Sequence, residues 1–102
     1  MNTKRDFQRI EAKHDALVKA YAYVRNNLGV GVNRLVRDYQ MNKGTLARLG
    51  RGEHLERAGE AFFVQFVRII LDQIRVREMK GQDVTVIRNR LLELMVAYYI
   101  GW

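Results

Sequence analysis

Basic side chains are concentrated between residues 31 and 52. Five basic residues stand there against one acidic residue, Asp38, so this fifth of the chain holds +4 of a net charge of +7. The basic residues are Arg34, Arg37, Lys43, Arg48 and Arg51. Ammonium and guanidinium groups donate hydrogen bonds to phosphates and to guanine edges. With an isoelectric point near 10.1, the chain favours an acidic partner, first nucleic acid and second a membrane surface.

No residues of the chain have the spacing of a catalytic, metal or cofactor site. His14 and His54 are forty residues apart, without further ligands at suitable spacing, and His14 is expected to pack on the apolar side of a helix. The absence of cysteine excludes a disulfide framework, a thiolate zinc site and a cysteine nucleophile. Three carboxylates at helical spacing are explained by a helix dipole: Glu53, Glu56 and Glu60. We therefore predict a protein that is not an enzyme and needs no cofactor.

The elements that position the basic residues are predicted to be helices. A chain of 102 residues forms one domain, and 48% hydrophobic residues with no proline exclude disorder and favour helices. The first helix is predicted over residues 4–27 because its apolar side repeats every three or four residues. That side consists of Phe7, Ile10, His14, Leu17, Tyr21, Val24 and Leu28. No segment alternates with a period of two, so no sheet is expected.

Four further helices follow a break at residues 29–31. A short helix carries Leu35 and Tyr39, and Asn42 is a suitable N-cap for the third helix. The fourth is predicted over 55–79, and Asp83 can cap a fifth helix that continues to the end of the chain. Each of these two helices has two apolar stripes. The prediction is an all-α domain of five helices over residues 1–102.

Residues 35–52, Leu-Val-Arg-Asp-Tyr-Gln-Met-Asn-Lys-Gly-Thr-Leu-Ala-Arg-Leu-Gly-Arg-Gly, resemble the phage-repressor (Cro/Xre-like) helix-turn-helix family. The chain departs from the family pattern at Gln40, which stands at the turn glycine, and at Val36, which stands at a small alanine. The matching positions are Leu35, Tyr39, Met41 in the turn, Asn42 as the cap, Leu46, Leu49 and the closing Gly52.

The resemblance implies a sequence-specific DNA-binding regulator with a helix-turn-helix over about residues 31–52. Outward residues at the start of the second helix of such a motif meet base edges in the major groove of double-stranded DNA. The implied base contacts are Asn42, Lys43, Thr45, Ala47 and Arg48. The implied phosphate contacts are Arg34, Arg37 and Arg51.

The second apolar stripe of the fifth helix predicts a homodimer. Apolar area beyond what a small core can cover often marks a partner site, and the resemblance implies dimers on palindromic operators. The interface is expected at Leu92, Met95, Tyr99 and Trp102, with the helices of residues 55–102 forming core and dimer contact. In the alternative arrangement both stripes close the monomer's own core around the first helix.

The sequence is also compatible with a second function. The chain is alternatively a helical protein-interaction module, such as a mobile-element adaptor or inhibitor, with a solvated basic face and no DNA binding. In both cases we expect a cytoplasmic protein, because residues 1–9 lack the apolar stretch of a signal peptide. No uncharged run approaches the length of a membrane-spanning helix.

Overall fold

The computed structural model describes residues 3–100, with side chains from Asp6 onward, and this part of the chain contains five helices and no strand. The all-α prediction with five helices is therefore confirmed. The helices are α1 (Thr3–Asn26), α2 (Val32–Tyr39), α3 (Lys43–Gly50), α4 (Gly59–Met79) and α5 (Thr85–Tyr99). None of these helices is both long and apolar enough to cross a membrane.

The core lies where α1, α4 and α5 pack against one another, and the short helices α2 and α3 cover one part of it. α1 contacts α5, α4 and α3, while α2 contacts α3. Fully buried aromatic rings of Phe63 and Phe66 lie at its centre, and Phe63 stacks on Tyr98 with ring centroids 4.0 Å apart. Stacked aromatic pairs add stability beyond the area they bury.

The first turns of α1 extend beyond the core. The predicted apolar side was expected to be continuous, but Phe7 and Ile10 are 63% and 57% exposed, and continuous burial begins only near Leu17. A helix of 24 residues is about 36 Å long and α5, with 15 residues, only about 23 Å. The prediction of one continuously buried apolar side was therefore wrong for the N-terminal turns of α1, where Phe7 and Ile10 stay outside the core.

Helix α4 begins at Gly59, four residues later than the predicted start at residue 55. Residues 53–55 are irregular, residues 56–58 form a turn, and the side chain of Leu55 packs on the core from this loop. An apolar residue at position 55 was therefore a core contact and not the first turn of a helix.

The two apolar stripes of α4 and the two of α5 differ in how far they are buried. In α4 both are largely buried, whereas in α5 only the stripe of Ile87, Leu91, Leu94 and Tyr98 lies in the core. On the other stripe Leu92 is 60% and Tyr99 50% exposed. The alternative in which both stripes close the monomer's core is therefore wrong for α5.

Candidate nucleic-acid interface

Helices α2 and α3 form a two-helix unit (residues 32–50) joined by three residues, and the first of these has left-handed backbone geometry. Gln40 has φ 56° and ψ 34°, and among the described residues no other non-glycine residue has a positive φ. The amides of Gln40 and Met41 both donate to the carbonyl of Leu35, which closes the end of α2. The position that resembles the family's turn glycine thus keeps a left-handed conformation although its residue is glutamine.

The start of α3 is fixed by a side-chain cap. The Asn42 carboxamide oxygen accepts hydrogen bonds from the Thr45 amide at 2.9 Å and from the Thr45 hydroxyl at 3.2 Å. A Cβ atom at Gly44 would lie 3.3 Å from that same oxygen, so glycine leaves room for the cap. The predicted N-cap is confirmed, and it engages the side chains of two of the predicted base contacts with each other.

Buried apolar side chains hold the two-helix unit on the core. Leu35, Leu46 and Leu49 are completely buried and Met41 is 4% exposed, while Val36 is half-buried against the core. The predicted inward residues of both helices are therefore confirmed, and burying each leucine stabilises the unit by about 2 kcal/mol.

Two polar contacts that the sequence did not reveal connect the unit to α4. The Gln65 amide nitrogen donates to the Tyr39 backbone carbonyl at 3.1 Å, and the Tyr39 hydroxyl lies 3.4 Å from an Asp72 carboxylate oxygen. Partial burial, together with the negative charge of Asp72, raises the pKa of the Tyr39 hydroxyl. These contacts span 26 and 33 residues of sequence, so no local pattern could have identified them.

The outward side of α3 presents Lys43, Ala47 and Arg48, all exposed, while Thr45 is half-buried. Lys43 and Ala47 lie four residues apart, so their side chains lie on the same side of the helix. An exposed ammonium group beside a methyl group and a guanidinium is a surface that can meet phosphates and base edges together.

All four predicted arginine contacts are ion-paired on this surface. Arg37 donates to Asp38 at 2.9 Å, and Arg34 lies 3.8 Å from the same carboxylate. Its hydrogen bond from Arg37 lowers the pKa of the Asp38 carboxyl.

The remaining two arginines share Glu53, which the count over residues 31–52 left out. Arg51 donates to it at 2.7 Å and Arg48 at 3.5 Å, and the hydrogen bond from Arg51 lowers the pKa of the Glu53 carboxyl. With Glu53 included, five basic residues face two acidic ones and the surface has a net charge of +3. We call the exposed residues of this surface the basic face: Arg34, Arg37, Lys43, Ala47, Arg48 and Arg51.

Of the predicted dimer contacts, Leu92 and Tyr99 are exposed, Met95 packs partly on the core, and Trp102 lies outside the described residues. On α4, Leu71 is 50% and Met79 82% exposed. Leu92, Leu71 and Met79 line one groove of about 660 Å³ between α4 and α5. The exposed apolar surface therefore includes α4 as well as α5, and we call it the α4–α5 groove.

In the part of the chain with described side chains, no group of three or more His, Asp or Glu residues is arranged to hold a metal ion. His14 and His54 do meet, despite their separation in sequence, as stacked rings with centroids 3.8 Å apart.

No protein-family model, curated protein or solved structure matches this chain. Its function must therefore be argued from the geometry and charge of its own residues.

Proposed function

We propose that the chain is a sequence-specific DNA-binding regulator whose helix-turn-helix is the two-helix unit. The observation that carries the proposal is the turn. A left-handed Gln40 followed by the Asn42 cap directs a short helix outward with Lys43, Ala47 and Arg48 on its exposed side. In a major groove these residues meet base edges, while the flanking arginines contact phosphates.

The ion pairs of the basic face do not oppose this function strongly. Their side chains are between about four and seven tenths exposed, and solvent screens such exposed pairs so that they contribute little stability. An arginine that leaves Asp38 or Glu53 for a DNA phosphate exchanges one weak pair for a contact that also releases counterions.

Fluorescence anisotropy with duplexes selected from a random pool tests the proposal. The logarithm of the binding constant is expected to fall with the logarithm of salt concentration, with a slope of about −0.9 per phosphate contacted. Lys43→Ala and Arg48→Ala should each weaken binding to the selected duplex by about 1–3 kcal/mol.

Matched charge controls are Lys19→Ala and Arg90→Ala. Lys19 is exposed and Arg90 is half-buried, and each pairs with a carboxylate of its own helix, α1 or α5. They should weaken binding less than twofold. The assignment of α3 is wrong if all four variants bind alike, and the DNA-binding proposal is wrong if no duplex is enriched.

We also propose that the protein binds DNA as a homodimer through the α4–α5 groove. Three large apolar side chains are exposed there, beside the charged side chains of Arg75, Glu78 and Arg88. Exposed apolar patches with a polar rim mark partner surfaces on soluble domains. Two copies present two recognition helices, and half-sites for such dimers are about 34 Å apart. The double variant Leu71→Glu/Leu92→Glu should be monomeric by light scattering, because it places carboxylates in the shared contact.

A matched control for the dimer is Val86→Glu. Val86 is 78% exposed and lines a different cavity, with Tyr23 and Arg90, so this variant should remain dimeric. If the parent protein is monomeric at several hundred micromolar, the dimer proposal is wrong.

The second candidate function is a protein-interaction module without DNA binding. The observation that favours it is the same groove together with the complete pairing of the four arginines. Under that function the double variant Leu71→Glu/Leu92→Glu would no longer bind the partner protein, while the Lys43→Ala variant would bind it as the parent does.

A further inference from the structure

A cleft of about 610 Å³ opens between the N-terminal half of α1, the loop of residues 53–58 and the last turn of α5. Its apolar walls are Phe7, Ile10, Leu17, Leu55 and Tyr98. Small-molecule sites are typically clefts of about 300–1,000 Å³ with mainly apolar walls and a few polar groups. The two residues of α1 that the core leaves exposed, Phe7 and Ile10, are therefore walls of a cleft with the size of a small-molecule site.

With histidine counted as neutral, three of the four charged side chains that line the cleft are acidic, although the chain as a whole has a net charge of +7. Glu11, Glu56 and Glu60 line it. Among the described side chains, Glu56 and Glu60 have no Lys or Arg partner, and Glu11 approaches only His54, at 3.4 Å. Elsewhere Asp38, Glu53, Glu78 and Glu93 are paired with arginine and Asp15 with Lys19. Among the described side chains, Asp72 approaches a tyrosine hydroxyl and Asp83 a threonine, and neither has a basic partner. Three of the carboxylates that have no Lys or Arg partner among the described side chains therefore line this one cleft.

One cation already lies at the cleft. The Lys13 ammonium is 5.1 Å from the centroid of the Tyr98 ring, which also stacks on the Phe63 ring. Burial, with the nearby Glu60 carboxylate as a smaller cause, raises the pKa of the Tyr98 hydroxyl. An aromatic face flanked by carboxylates attracts cations both through the ring quadrupole and through charge.

We propose that this cleft binds a small organic cation with an apolar aromatic or alkyl body. The apolar walls accept the body, and the three carboxylates favour a positive charge and oppose an anion of the same shape. Side chains of α1, the loop, the first turn of α4 and the last turn of α5 line the cleft. A cleft with walls from four elements suits one compact ligand better than a helix of another protein, for which an extended groove is needed.

The cleft is also connected to the basic face. His54 and Leu55 line it on one side and, on the other, a cavity of about 390 Å³ whose walls include Thr45 and Arg48 of α3. Glu53 of the same loop holds Arg48 and Arg51. A bound cation that shifts this loop therefore changes the affinity for DNA, an inference that rests on the proposed function.

Calorimetry with tetraphenylphosphonium and tetraphenylborate tests the cleft directly, because the two ions share size and shape and differ in the sign of their charge. The phosphonium ion is expected to bind at least tenfold more tightly than the borate. Amide chemical shifts should change around residues 7–14 and 54–60. Equal affinity for the two ions, or shifts confined to the α4–α5 groove, would overturn the proposal.

Two double variants distinguish an effect of the carboxylates in the cleft from an effect of the protein's overall charge. Glu56→Gln/Glu60→Gln should weaken phosphonium binding about fivefold or more, because it removes two of the three carboxylates that line the cleft. Asp15→Asn/Glu93→Gln makes the same charge change on carboxylates outside the cleft and should change the affinity less than twofold. Lys13→Met removes the competing ammonium and should tighten binding. An unchanged affinity in the first double variant overturns the proposal.

Anisotropy with and without saturating phosphonium ion tests the connection to DNA. A shift in DNA affinity of threefold or more supports it, and an unchanged affinity overturns the connection. If the chain binds no DNA at all, the proposed function fails, while the calorimetry still decides whether the cleft binds the cation.

Discussion

The side-chain amide of Gln65, in the middle of α4, donates a hydrogen bond of 3.1 Å to the backbone carbonyl of Tyr39, the last residue of α2. The next residue, Gln40, has the left-handed conformation that turns the chain toward α3. A single amide of the core helix therefore fixes the residue from which the turn begins. The orientation of α3 thus depends on α4 as well as on the turn itself.

Removal of this hydrogen bond should destabilise the domain. We expect Gln65→Met to lower the free energy of unfolding by about 1–2 kcal/mol, because a partly buried carbonyl loses its donor while the side chain keeps its length. Urea titration followed by circular dichroism measures the change. Gln73→Met on the same helix controls for helix propensity, since Gln73 is also half-buried and has no hydrogen bond from its side chain in the described structure. Equal loss in both variants would contradict the role of Gln65.

Because the backbone of Gln40 is left-handed, we expect that replacing this residue with glycine makes the domain more stable. A non-glycine residue loses about 1–2 kcal/mol in this region, and part of that is offset by the greater freedom of glycine in the unfolded chain. Gln40→Gly should therefore stabilise the domain by about 0.5–1 kcal/mol. Gln40→Val should destabilise it, because a β-branched residue is strongly disfavoured at positive φ. Gln40 is exposed, so lost packing does not complicate the comparison.

Thermal or urea denaturation measures both Gln40 variants against Gln82→Gly. Gln82 is exposed in a loop and has no positive φ, so glycine should give no gain there. A gain at both positions would show that the backbone conformation of Gln40 is not its cause.

Local sequence patterns predicted those structural features that depend on residues close together in the chain. The spacing of Leu35, Leu46 and Leu49 predicted their burial, and Asn42 was a recognisable cap because its role needs only the next three residues. The exposure of Phe7 was not predictable in this way, since it depends on how the other elements pack around the first turns of α1. Likewise, the donor at Gln65 becomes visible only when α4 packs against the turn.

The charge of the candidate interface was also only partly predictable from the sequence. A count that ended at Gly52 missed Glu53, one residue beyond, which accepts from both Arg48 and Arg51. Net charge describes the long-range attraction to a polyanion, whereas the pairing of individual groups is a property of the folded surface.

The start of α5 should be sensitive to acid through Asp83. Its carboxylate accepts from the Thr85 hydroxyl at 2.7 Å and from the Thr85 amide at 2.9 Å, and these bonds lower the pKa of the carboxyl. A carboxyl whose pKa is lower in the folded state contributes stability above its unfolded pKa and loses it as pH falls through the folded value. Asp83→Ala should therefore lower the melting temperature by a few degrees at pH 7.

The difference in melting temperature between Asp83→Ala and the parent should narrow progressively below about pH 4, the ordinary pKa range of aspartate. Thermal scans from about pH 2.5 to pH 7 measure it. A difference that does not change with pH would contradict the part played by the charge. Asp83→Asn serves as a control that keeps a capping oxygen without the charge.

Glu53 restrains the two arginines at the end of α3, which makes it the sharpest single test of the basic face. Glu53→Gln removes the charge that holds Arg48 and Arg51 while keeping the length of the side chain. If these arginines contact DNA, their release should raise the affinity for the selected duplex about three- to tenfold at low salt. The slope of the logarithm of the binding constant against the logarithm of salt concentration should also become steeper, by up to about 0.9 for each additional phosphate that an arginine neutralises.

Glu93→Gln is the matched control, because Glu93 on α5 is also exposed, also paired with an arginine, and gives the same change in net charge. It should raise the affinity less than twofold through long-range attraction alone. A larger effect of Glu53→Gln than of Glu93→Gln assigns the difference to the arginines beside Glu53. Equal effects would mean that only net charge matters, and Arg48 and Arg51 would then not be the residues that bind DNA.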